Sequence, residues 1–141
     1  MAEGWLRHLA KGKLVALSAG TQPTRLDPQA VRVMAEIDID ISRHSASAFT
    51  AHLVDPPELV IAVCRAVATS CASLPRKTAV LSWPFEDPTE MRGSELEVLR
   101  AFRSTRDAIG VRIETWMKTG CAGLLPPARP LARTGRAPRA L

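Results

Sequence analysis

The sequence predicts an α/β fold built on a doubly wound parallel sheet. Three observations carry that expectation. Helix-like and strand-like patterns alternate along the chain. One apolar run, "ELVIAVC", is continuous, which fits a strand covered on both faces. The stretch "GSELEVLRAFRSTRDAIGVRIETWMK" repeats apolar residues at three- and four-residue steps, as a helix laid over a sheet does.

Taken in order, residues 1–10 read as a helix with Met1, Trp5, Leu6 and Leu9 as its apolar stripe. Residues 14–19 read as a buried strand. "LDPQAVRVMAEI" is a second helix, with Asp27 placed to cap it and Pro28 at its first position. Ala30, Val31, Met34 and Ile37 form its buried face. "DIDIS" is an extended connector, and a helical turn is expected from Ser47 to Val54, stopped by "DPP". "ELVIAVC" is the second strand, followed by a short helical segment through Cys71. "TAVLSW" is the third strand, and it ends in the loop "PFEDP". In the last helix Ser94 and Glu97 have the spacing of a capping box. Leu96, Leu99, Phe102, Ile109, Ile113 and Trp116 should cover the sheet. The strands are joined by right-handed crossovers, and ligands of such sheets bind beyond the C-terminal strand ends. Cys64 and the "WPFEDP" loop fall there.

The first helix has no strand before it. The alternation therefore implies that a strand and a loop belong ahead of it, the loop leading into a helix N-terminus suited to an oxyanion. Without that strand, the strands at 14–19 and 58–63 would lose their shared neighbour.

Composition bounds the function. The 141 residues are enough for one domain with a true core. No apolar run approaches the roughly 20 residues of a membrane span, and no secretory signal is recognisable, so a cytoplasmic protein is expected. The net charge is +5, but the tail's Arg129, Arg133, Arg136 and Arg139 account for four of those charges and leave about +1 elsewhere. This speaks against a nucleic-acid partner. The domain is expected over 1–118, with a disordered Pro- and Arg-rich tail over 119–141.

Three cysteines, Cys64, Cys71 and Cys121, and three scattered histidines give no zinc-ligand spacing, so no metal site of that kind is expected. Cys64 and Cys71 lie seven positions apart. On a helix their Cα atoms would sit roughly 10 Å apart, beyond disulfide reach, so a bridge needs the segment to unwind. That behaviour suits a redox pair; two buried cysteines acting as small hydrophobes is the other reading. Asp87 is either a general acid at the sheet edge or a turn former before Pro88. Trp83 and Phe85 read as packing residues.

Together, "MAEGWLRHLA", "SAGT", "DPQAVRVMAEIDIDISRH", "LVIAVC…C", "WPFEDP" and "RDAIGVRIETW" resemble the thiol-dependent, thioredoxin-coupled arsenate reductases of the low-molecular-weight tyrosine phosphatase fold. The likeness runs from residue 1 to about 118. It implies a central strand and a phosphate-type loop, a nucleophilic Cys, five residues and then an Arg, ahead of Met1. Translation starting upstream is thereby expected, and the 141 residues by themselves are expected to be inactive.

In a complete version, the resemblance gives the loop Cys the attack on arsenate and Asp87 the protonation of the departing oxygen. Cys64 then attacks the arseno-cysteine adduct, and Cys71 takes over the disulfide as arsenite leaves. A thioredoxin-like reductant restores the thiols; no bound cofactor is implied, and a monomer is expected. Some members bind a monovalent cation; Glu3 and Ser18 match part of that site, while Ser47 stands where a carboxylate is usual. Arg65 and Ala72 also depart from the pattern. A tyrosine phosphatase of the same fold is the alternative, weakened by the cysteine pair and by the absence of Tyr. A non-catalytic pseudoenzyme or gene fragment is the other.

Overall fold

The computed structural model describes residues 1–22, 25–64, 71, 78–120 and 139–140. In chain order the elements are α1 (Ala2–Ala10), β1 (Val15–Ala16), β2 (Ala19–Gly20), α2 (Pro28–Ala35), β3 (Ser47–Ala48), β4 (Leu59–Ala62), β5 (Ala79–Ser82), α3 (Glu95–Lys118) and β6 (Arg139–Ala140). The main sheet is parallel with order β1-β6-β4-β5, and β2 pairs with β3 in a small second sheet. The α/β class and the parallel sheet are as the sequence predicts.

The helices form for the expected reasons. Asp27 accepts a hydrogen bond from the Gln29 N–H at 2.7 Å, and Pro28 opens α2. Ser94 and Glu97 close a reciprocal capping box on α3, each bonding the other's backbone N–H. Helix α1 ends where Lys11 turns left-handed at φ 46° and Gly12 follows at φ 81°, a conformation that glycine adopts without steric cost.

Strand β4 is buried along its whole length, and its two faces belong to different clusters. Leu59 and Ile61 pack with Leu6 of α1 and with Ile109, Ile113 and Trp116 of α3. Val60 and Ala62 face the other way and pack with Phe49 and Cys71. This two-sided burial is why the run in the sequence has no polar alternation. A third cluster joins Ala30, Val33 and Met34 of α2 to Leu99 and Phe102 of α3. Two glycines permit close packing around α1. A Cβ on Gly110 would stand 2.5 Å from the Trp5 ring, and one on Gly4 would stand 2.6 Å from Ile41. With Gly110 bare, the Trp5 indole lies on α3 and donates to the Arg106 carbonyl at 2.9 Å.

Several expectations are corrected. The strand expected over 14–19 is split into β1 and β2, because Ala19–Gly20 leaves the main sheet to pair with Ser47–Ala48. The helical turn expected over 47–54 is therefore a strand first, and only Phe49–His52 is helical, as a 3₁₀ turn. Leu96 is 53% exposed, not part of the buried face of α3. It lies in the first turn, beside the capping box. Strand β5 alternates between half-buried and exposed positions, as an edge strand does.

The shared neighbour of β1 and β4 is not lost. Arg139–Ala140, within the segment expected to be a disordered tail, runs between them as β6. The facing edges of β1 and β4 carry backbone donors and acceptors, and an extended segment satisfies them. The helical segment expected between Cys64 and Cys71, and Cys121, lie outside the described residues.

Candidate active site

Cys64 follows β4 at the C-terminal edge of the sheet, in a bend, with its side chain exposed. The pairing of β4 with β5 continues past the strands: Trp83 N–H donates to the Ala62 carbonyl at 2.8 Å, and Phe85 N–H to the Val63 carbonyl at 3.0 Å. These two bonds hold the "WPFEDP" loop beside Cys64. Trp83 anchors it from below, buried in an edge-to-face contact with Trp116 at 6.0 Å and covered by Arg112 at 5.3 Å. Thr105 of α3 donates to the Glu86 carbonyl at 3.4 Å, one residue before Asp87. Trp83 and Phe85 thus serve as packing residues, as expected.

Asp87 is exposed and caps the turn Pro88–Glu90. Its Oδ1 accepts from the Thr89 N–H at 2.9 Å and from the Thr89 hydroxyl at 2.7 Å. The turn-forming reading of Asp87 is realised, and the same turn sets the carboxylate on the loop that flanks Cys64.

Cys71 is buried against Val60, Ala62 and Phe49, behind β4 as seen from α1. Burial pushes its thiol above the ordinary range, and the neighbouring Cys64 pushes it further in the same direction. Both cysteines are free thiols, one exposed and one buried. The pair is therefore asymmetric: Cys64 is presented to solvent, and Cys71 is kept protonated behind it.

Glu3, Ser18 and Ser47 are brought together and line one cavity of about 250 Å³. Its chemistry does not fit a cation. The Glu3 carboxylate is buried and already meets Arg7 at 2.7 Å and His44 at 3.5 Å. The Ser18 carbonyl accepts from the Ser47 hydroxyl at 3.2 Å, and that hydroxyl also bonds His52 at 2.5 Å. Arg7 further donates to the Ala16 carbonyl at 3.0 Å, which ties α1 to β1. Arg43 lines the same cavity. The compensating charge for Glu3 is thus supplied by side chains. Arg7 and His44 are residues that sequence reasoning missed, although the Glu3–Arg7 spacing of four on a helix is a legible signal. Among the described residues, no group of three or more His, Cys, Asp or Glu stands together as a metal site.

A parallel sheet with a free cysteine pair at its C-terminal edge and a Trp-anchored acidic loop beside it defines a class. The chain belongs to the low molecular weight phosphotyrosine protein phosphatase family, whose pattern matches residues 1–122. Within it, the chain is 35% identical over 120 residues to an arsenate reductase of Halalkalibacterium halodurans, covering 85% of this chain and 86% of the relative. An arsenate reductase of Bacillus subtilis is 32% identical over the same shares. A solved arsenate reductase in the phosphate-binding state superposes with a TM-score of 0.70 at 26% identity, covering 84% of this chain and 86% of the other. No helix of the described residues is long and apolar enough to cross a membrane.

Proposed function

We propose that this chain is an arsenate reductase polypeptide that supplies the cysteine relay and the acidic loop of the reaction, as a cytoplasmic monomer. The observation that carries the reading is the asymmetric pair: an exposed Cys64 at the sheet edge with a buried, protonated Cys71 next to it. The named relatives support the same reading.

In the reaction, arsenate held by an oxyanion loop forms an adduct on that loop's cysteine, with Asp87 protonating the departing oxygen. Cys64 attacks the adduct, and Cys71 then takes over the resulting disulfide. The electrons balance. Two thiols give up two electrons and two protons in forming one S–S bond; arsenate gains the electrons, loses one oxygen as water and leaves as arsenite. A thioredoxin-like dithiol protein returns the Cys64–Cys71 bridge to thiols by exchange. Exposure of Cys64 suits attack by such a partner. The cation seen in some members has no role here, because Arg7 already neutralises Glu3.

The 141 residues contain no Cys followed, after five intervening residues, by an Arg, so the polypeptide alone is expected not to turn arsenate over. The test is a coupled assay with thioredoxin, its reductase and NADPH. After mild oxidation, the chain should consume one NADPH equivalent per Cys64–Cys71 bridge, and Cys71→Ser should consume none. A bridge that thioredoxin leaves intact ends the reductase reading. Arsenate turnover by the chain alone, abolished by Cys64→Ser, would show that the pair works without the loop.

A further inference from the structure

The cavity beside Glu3 carries the opposite charge to the one a cation site needs. We propose that it binds a small tetrahedral oxyanion of the phosphate, arsenate or sulfate class. Neither Cys64 nor Cys71 lines this cavity, so the site is separate from the reacting thiols and does not depend on the reductase reading.

Exposure sorts the charges of the lining. The Glu3 side chain is 6% exposed and that of Arg7 is 50% exposed. The acid is therefore the inner group, and its charge is met there by Arg7 at 2.7 Å and by His44 Nδ1 at 3.5 Å. Arg7 reaches Glu3 through Nη2, and its Nε and Nη2 also donate to the Ala16 carbonyl, so its Nη1 is left without a partner among the described residues. Arg43 and Ser45 line the same cavity and are exposed. Arg43 makes no ion pair or hydrogen bond among the described residues and acts on Asp40 through charge alone. Two guanidinium groups thus stand against one carboxylate that is already paired, and a solute entering the cavity meets net positive charge.

Hydrogen bonding points the same way. The Ser18 carbonyl accepts from the Ser47 N–H at 3.1 Å and from the Ser47 hydroxyl at 3.2 Å. That hydroxyl has one proton and gives it to Ser18, so His52 Nε2 must be the donor in its 2.5 Å bond to the same oxygen. The oxygens of Ser18 and Ser47 that a cation would need are therefore engaged. The groups left over are donors: Arg7 Nη1, the Arg43 guanidinium and the Ser45 hydroxyl. A guanidinium fork matches the paired oxygens of a phosphate-type anion. The volume, about 250 Å³, falls below the roughly 300–1,000 Å³ of sites for drug-sized ligands, so the occupant is small.

Titration of the full chain with inorganic phosphate at constant ionic strength, followed by NMR shifts of backbone amides and arginine side chains, tests this. Saturable shifts are expected at Arg7, Arg43, His44 and Ser45 and not at Cys64 or Asp87. Sulfate should compete for the same site. Exchanging choline chloride for potassium chloride should move none of these signals. Arg43→Gln should weaken phosphate binding at least about tenfold, because it removes a charge-assisted donor, and Ser45→Ala should weaken it less. Both positions are exposed, so both variants are expected to fold. If either does not, the titration of the natural chain decides the matter. Shifts that never saturate, saturable shifts centred beside Cys64, or equal affinity in folded Arg43→Gln overturn the proposal. A potassium-dependent shift at Glu3 overturns it equally.

Discussion

Among the described residues, the two faces of the main sheet are packed to different depths. On one face, α1 and α3 bury Leu6, Ile109, Ile113 and Trp116 against Leu59 and Ile61, and α2 extends the packing through Val33, Met34 and Phe102. Both α2 and α3 are capped by side chains at their N-termini. On the other face only Phe49, Val60, Ala62 and Cys71 form a buried cluster among the described residues. The deep face holds the strand that presents Cys64; the thin face holds Cys71. In the proposed relay, Cys71 must approach Cys64, which needs local rearrangement. The proposed relay would thereby place stability and chemistry on different faces.

That division is broken most directly by truncating each face in turn. Ile113 is 1% exposed, and Ile113→Ala should cost about 2–5 kcal/mol in urea unfolding. Cys71→Ala, on the thin face, should cost about 1 kcal/mol while abolishing formation of the bridge. Equal costs would show that the faces are not divided.

Gly110→Ala comes next. Its new methyl meets the Trp5 ring, so α1 must shift from α3, at a cost of about 1–3 kcal/mol by thermal or urea unfolding. Trp5→Phe in the same chain should recover part of that loss, because it removes the second ring of the indole. Smaller still is Ser94→Ala, which opens the capping box and should cost about 1 kcal/mol.

The deep face was the more legible of the two in the sequence. Its signals are local and periodic: Asp27-Pro28, the Ser94–Glu97 spacing, and the apolar steps from Leu99 to Trp116. Leu96 matched the same period and yet is exposed, since a first-turn position can fall short of the surface the helix covers. Cys64, Cys71 and Asp87 were legible as chemistry-bearing types at strand ends, but their environments were not. Burial of Cys71 depends on Phe49, which is distant in sequence, and Asp87 capping depends on Thr89. Around Glu3, the oxygen-bearing residues were legible in the sequence, and the Arg7 and His44 partners of its carboxylate were missed. Pairing of Arg139–Ala140 with β1 and β4 has no periodic signal in the segment's own residues.

The smallest effect at neutral pH, and the one with a distinctive pH signature, lies between α2 and α3. Glu36 receives two bonds from Arg103, at 2.6 and 2.8 Å, and one from Arg106 at 3.1 Å. Arg106 also donates to the Val33 carbonyl at 2.8 Å, so the cluster fastens α2 to α3. The Arg103 hydrogen bonds, opposed by some desolvation and aided by charge from both arginines, hold the Glu36 carboxyl down at about 2. Its folded value lies below its unfolded one, so the folded state favours the ionised form. The contribution to stability is fully present above the ordinary carboxyl range near 4.5 and is lost as pH falls from there toward about 2. The pair is solvent-accessible, so the effect at pH 7 is modest and screened by salt. Glu36→Gln should therefore lower the unfolding midpoint slightly at pH 7 and leave it unchanged near pH 2. Between those limits the natural chain should lose stability on acidification more steeply than the variant. Parallel acid limbs for the two proteins would mean that this clamp does not set the acid sensitivity of the fold.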